Sequence, residues 1–102
     1  MSQHAMKLMV IVVESVLMER VLADLKRLGA TGYTITDARG GGSRGLRVGE
    51  VPGDNKRIEV LMDDETAGTM LELLSERYFP SYAIAAWVSD VVVVREGKYL
   101  GR

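Results

Sequence analysis

The sequence predicts an α+β fold: one antiparallel sheet with two helices on one of its faces. Three observations predict it. An apolar run rich in β-branched residues, Met6 to Val13, lies near the start and reads as a central strand. Two helical stripes of apolar residues follow, one around Val21 and one around Met70. Strand-like segments flank each helix, two of them alternating, so the order is strand, helix, strand, a long loop, then strand, helix, strand. Two such units interleave into a ferredoxin-like βαββαβ sandwich, a single domain over the 102 residues.

Each element has a local reason. Ser15, after Glu14, is placed as the N-cap of the first helix. Met18, Val21, Leu22, Leu25 and Leu28 form its apolar stripe, and Glu19, Arg20, Asp24, Lys26 and Arg27 fill the other face. Gly29 ends it as a left-handed cap. Gly32 opens the second strand, where Tyr33 and Ile35 alternate with Thr34 and Thr36 to give one dry face. In the third strand, Lys56 to Met62, Ile58, Val60 and Met62 oppose Arg57, Glu59 and Leu61. Asp63, Asp64 and Glu65 stand at a helix start, where the dipole favours acids. Ala67, Met70, Leu71, Leu74 and Tyr78 make the second stripe, which Phe79-Pro80-Ser81 breaks. Tyr82 to Val88 reads as a fourth strand, Asp90 as a turn, and Val91 to Val94 as a short fifth strand. Residues 1–5, with the only histidine at His4, are expected to be a flexible tail, and residues 95–102 a polar one.

Helices on one face leave the other face of the sheet bare. The first strand is apolar on both sides, so the bare face calls for a partner. An oligomer with its sheets turned inward is expected.

The loop from Arg39 to Asn55 holds six of the eleven glycines, one of the two prolines and three arginines. A loop this long in a small domain is usually functional or disordered. Gly40, Gly41 and Gly42 permit close backbone approach, and their amides suit an anion. Arg39, Arg44 and Arg47 can fork onto phosphate or carboxylate oxygens, and Ser43 adds a hydroxyl. Glycine and arginine alone fit a surface linker equally well. The loop is no Walker motif, since no Gly-Lys-Ser/Thr follows.

Composition excludes several classes. A net charge of −1 argues against a dedicated DNA binder. Zero cysteines exclude disulfides, zinc–thiolate sites and thiol catalysis. The apolar run is too short for a membrane span or a signal core, so a cytoplasmic domain is expected. No Ser/His/Asp or Cys/His set is present, which speaks against an enzyme, and capping explains the acids at 63–65 more simply than a metal does. Trp87 reads as interface or core, and the methionines as packing. An RNA-recognition module needs stacking aromatics in its third strand, and Lys56 to Met62 has none. A small nucleotide hydrolase using the loop stays open, and a metal-tolerance protein of similar fold is poorly supported.

Three segments carry a family resemblance: Leu28-Gly29-Ala30-Thr31-Gly32-Tyr33-Thr34, Gly41-Gly42-Ser43-Arg44-Gly45-Leu46-Arg47, and Tyr78-Phe79-Pro80-Ser81-Tyr82-Ala83. Over roughly residues 7–98 the chain resembles the PII-like signalling proteins. It is most similar to their inorganic-carbon branch, the carboxysome-associated and bicarbonate-transporter-associated members. The resemblance implies a non-enzymatic homotrimer with adenine nucleotides in clefts between subunits, and a T-loop at about 39–55 that reports ligand to a partner. By position, Gly32, Tyr33 and Thr34 match the strand contacting adenine and ribose. Gly40, Gly41, Gly42, Ser43 and Arg44 match the base of the T-loop near the phosphates. Arg47 matches a second basic position, and with Arg44 would reach phosphate or bicarbonate. Phe79 to Tyr82 match a second cleft loop, Trp87 and Val88 the strand beyond it, and Arg95 a residue closing the cleft from the neighbouring subunit.

The departures refine this expectation. The loop lacks the tyrosine that nitrogen-sensing members modify, and the Gly-Asp-Gly-Lys cleft loop that grips Mg-ATP is shortened and lacks its lysine. Loss of that charge favours AMP or ADP over ATP and no metal. The implied role is regulation of inorganic-carbon uptake or carbon fixation, with a bicarbonate transporter or carboxysome-linked protein as partner.

Overall fold

The computed structural model describes residues 3–40 and 54–94. Strand β1 is His4–Glu14, then a 3₁₀ turn Ser15–Leu17, helix α1 Met18–Arg27, β2 Thr34–Ala38, β3 Asn55–Met62, α2 Asp64–Arg77 and β4 Ala85–Val93. The strands form one four-stranded sheet in the order β2-β3-β1-β4, each neighbouring pair antiparallel. This is the α+β sandwich that the element order predicts.

β1 is central because both of its faces are apolar. Met9, Ile11 and Val13 face the helices and stack with Ile58 and Val60 of β3 and Val21, Leu25, Met70 and Leu74 of α1 and α2. Each such fully buried side chain contributes roughly 1.5–3 kcal/mol. The even residues point the other way. Met6 and Val10 are buried there, Leu8, Val12 and Leu61 are half-buried, and Trp87 is exposed. Among the described residues no helix covers this second face: the buried residues of both helices cluster with the first.

Gly29 ends α1 as expected. Its φ of +99° is open to glycine at little cost. It lets Gly29 N–H donate to the Lys26 carbonyl and Ala30 N–H to that of Leu25, each at 3.0 Å, closing the last turn.

Several expectations at element ends are corrected. Ser15 does not cap α1: Leu17 holds that position without a side-chain cap bond, and the Ser15 hydroxyl instead donates to Asp54 at 2.7 Å. β1 begins at His4, so His4 and Ala5 belong to the sheet, opposite Val93 and Val92. Gly32 and Tyr33 precede β2, and Tyr82 to Ile84 precede β4. Asp90 makes no turn and there is no separate fifth strand among the described residues. β4 runs on through Asp90 because Lys7 stands opposite it and binds its carboxylate, while Val91 to Val93 pair with Met6 to His4. That hydrogen bond raises Lys7 above the ordinary lysine pKa. Asp24, placed by periodicity on the polar face of α1, is 4% exposed.

The acids at the start of α2 divide their work. Asp63 is the N-cap, its side chain accepting from Thr66 N–H at 2.7 Å, and Asp64 and Glu65 occupy the first turn. Asp63→Ala is expected to cost about 1 kcal/mol. At fixed protein concentration that lowers Tm by roughly 4–8 °C, readable by calorimetry.

Candidate functional site

The candidate residues of the described strands lie at two separate sheet edges. At the β2 edge, Gly32, Tyr33 and Thr34 are all exposed, Tyr33 at 45%. Thr34 pairs with Glu59 and Thr36 with Arg57, so these four side chains share the helix-free face. Of the two residues giving the strand its dry face, only Ile35 packs against the core. β2 ends at Ala38, opposite Asn55, and Arg39 and Gly40 lead out into the loop.

Both ends of that loop are fixed. Lys56 binds Asp37 across β2 and β3 at 2.5 Å. Ser15 N–H donates to the Asp54 carbonyl at 3.2 Å, beside the hydroxyl bond already described. Gly41, Gly42, Ser43, Arg44 and Arg47, and Arg95 near the other end of the chain, lie outside the described residues. A Cβ added at Gly32 or Gly40 would meet nothing within 4 Å, and neither has a positive φ. Among the described residues, nothing in packing or backbone conformation demands either glycine.

At the opposite edge, β4 carries Trp87 and Val88. Trp87 stands across from Val10 on the helix-free face, 45% exposed. The Arg57 guanidinium lies 5.5 Å from its ring centroid and 3.8 Å from the Glu59 carboxylate. This arrangement sets a cation, an anion and an indole side by side. Val88 faces the helices, opposite Met9, and packs against the core. Its contribution at the edge is therefore backbone.

The turn between α2 and β4 is gripped from α1. Tyr78 is 3% exposed and donates its hydroxyl to Asp24 at 2.5 Å. Arg27 donates to the same carboxylate at 2.6 Å, and Arg77 lies 3.6 Å away. Burial pushes the Tyr78 phenol up to about 12, with the hydrogen bond and charge of Asp24 adding to it. Arg20 lies over the rings of Tyr78 and Tyr82, at 5.5 and 5.8 Å, and donates to the Tyr82 hydroxyl at 3.3 Å.

Thr34 and Trp87 do not meet within one chain. β3 and β1 lie between their strands, and three strand spacings amount to about 14 Å. The sequence reading missed Asp24, Arg20 and the Arg57–Glu59 pair as a group. For Asp24 a signal existed: it lies three residues after Val21 and four before Leu28, inside the apolar stripe.

A family model described as nitrogen regulatory protein P-II matches residues 6–98, and the chain belongs to that family. Among solved structures, a PII-like signaling protein from Thermus thermophilus is 49% identical, with 97% of this chain and 99% of that chain covered and a TM-score of 0.84. CPII from Thiomonas intermedia, a nitrogen regulatory PII-like protein bound to ADP, AMP and bicarbonate, is 25% identical over 92% of this chain and 100% of its own, with a TM-score of 0.81. The same protein bound to ADP and bicarbonate is 27% identical over 96% and 97%, with a TM-score of 0.85.

Proposed function

We propose that this chain is a non-enzymatic regulatory protein that binds ADP or AMP between neighbouring subunits of a homotrimer. Bicarbonate is its second ligand. It works in the cytoplasm, and the loop at 39–55 carries the bound state to a protein of inorganic-carbon uptake or carbon fixation. The observation that carries this reading is the likeness to CPII, bound to ADP and bicarbonate, over nearly the whole of both chains. The division of the candidate residues between two exposed edges supports the inter-subunit placement. Gly32, Tyr33 and Thr34 then come from one subunit and Trp87 and the Val88 backbone from the next. Gly40 to Ser43 offer amides to the phosphates, Arg44 and Arg47 their guanidinium groups, and Arg95 closes the cleft. The ligand biases the loop only by its differential affinity for the loop's forms.

Isothermal calorimetry against AMP, ADP, ATP and cyclic AMP, each with and without bicarbonate, tests the reading. We expect micromolar binding, tightest for ADP or AMP and altered by bicarbonate. Absence of binding by every nucleotide would sink it. Gly40→Ala supplies a sharper probe. With open space around the missing Cβ, the fold should be unchanged within about 0.5 kcal/mol. ADP affinity should nonetheless fall, because the added methyl stands where a phosphate approaches the backbone. Equal affinity in the two proteins would remove Gly40 from the site.

A further inference from the structure

We propose that Arg20 and Asp24 of α1 are positioning residues for the ligand site, holding the turn Phe79–Ile84 in the form that meets the ligand. The proposal rests on the nucleotide reading above and on the resemblance that sets Phe79 to Tyr82 in the cleft, and neither Arg20 nor Asp24 is assigned a contact with ligand. The two side chains lie four residues apart, hence on one face of α1. Asp24 accepts the Tyr78 hydroxyl at 2.5 Å, fixing the last residue before the turn. Arg20 spans the turn from outside, covering the rings of Tyr78 and Tyr82 and donating to the Tyr82 hydroxyl. The rings are 6.2 Å apart and tilted by 48°, so one guanidinium reaches both.

The turn has backbone bonds of its own, the first from Phe79 N–H to the Leu74 carbonyl at 2.9 Å. Tyr82 N–H donates to the Tyr78 carbonyl at 2.8 Å and Ser81 N–H to the same oxygen at 3.0 Å. Residues 79–83 are exposed, with Phe79 at 42% and Tyr82 at 38%. Two residues after Tyr82 the chain enters the core at Ile84, and then β4 begins. To these bonds α1 adds a clamp on the side chains at both ends of the turn, Tyr78 and Tyr82. A protein whose competent form is only partly populated binds more weakly by that fraction. Loosening the clamp should weaken binding without removing any ligand contact.

The test compares the full chain with Arg20→Ala and with Tyr82→Phe. Arg20 is exposed, so the alanine variant is expected to fold. ADP affinity is measured by calorimetry well below the unfolding transition, and amide exchange of residues 79–84 by mass spectrometry. In Arg20→Ala we expect about a tenfold loss of affinity and faster exchange at 79–84 without ligand, restored by saturating ADP. Tyr82→Phe keeps the ring stack and should show a smaller change in the same direction. Unchanged affinity in Arg20→Ala overturns the proposal. So does a loss of affinity with exchange at 79–84 unaltered, since Arg20 would then act on the ligand directly. A parent protein that binds no ADP overturns the nucleotide reading itself, a result that does not depend on the variants.

Discussion

Replacing Asp24 by alanine is expected to destabilise the protein by about 2–3 kcal/mol, read by urea denaturation at fixed protein concentration. The carboxylate is 4% exposed and takes hydrogen bonds from Tyr78 and Arg27. Without it, the buried Tyr78 hydroxyl loses its acceptor, and an orphaned buried donor costs roughly 1–3 kcal/mol. Arg27 and Arg77 are more than half exposed and can turn to water, so they soften the loss. Tyr78→Phe should cost less, about 1 kcal/mol, because Asp24 keeps its arginines. The double variant should then fall short of the sum, since the hydroxyl that Asp24 satisfied is gone. Strict additivity would mean that the two groups are not coupled.

The same pair gives a pH dependence with a definite sign. Tyr78 is raised from 10.0 to about 12, mainly by burial and then by Asp24. A group raised in the folded state stabilises the fold fully below its unfolded pKa, and that stability is lost as pH climbs through the folded one. Stability should therefore fall across the interval from pH 10.0 to about 12, and Tyr78→Phe should flatten that fall. An unchanged slope in the variant would place the alkaline loss elsewhere.

Local chemistry made much of the fold legible. The two-sided apolar run placed β1 at the centre of the sheet, Gly29 marked a left-handed cap, and Asp63 to Glu65 marked a helix start. Each signal lies within one turn or one strand. The misreadings share a cause, a partner distant in sequence. Asp90 looks like a turn residue until Lys7 is set beside it, 83 residues away. Ser15 looks like a cap until Asp54 comes within reach, and Asp24 looks solvated until Tyr78 is packed against it. Gly32 to Thr34 and Trp87 were legible as candidates through resemblance, but their placement on opposite edges is a property of strand order. Nothing in either segment states it, because the two edges belong to different βαβ units.

Leu61→Glu is expected to have the largest effect, converting the proposed trimer to monomers and removing nucleotide binding together with it. Leu61 lies on the helix-free face, paired with Leu8 of β1 and near the buried Val10. In a single chain it is half-buried, so a glutamate there can keep water and the subunit should still fold. In an assembly with the sheets turned inward it would be dry. Burying an unpaired carboxylate costs several kcal/mol, and a cyclic assembly repeats the cost in every subunit. Glu59, two residues earlier on the same face, adds like-charge repulsion. Light scattering coupled to size exclusion reads the mass, and circular dichroism confirms the fold. Loss of ADP binding should follow because Thr34 and Trp87 occupy opposite edges of each sheet. A folded monomer would hold two half-sites and no whole one. If the variant stays oligomeric, the helix-free face is not where subunits meet. If it is monomeric and still binds ADP at parental affinity, the site lies within one chain, and the division of its residues between edges has been misread.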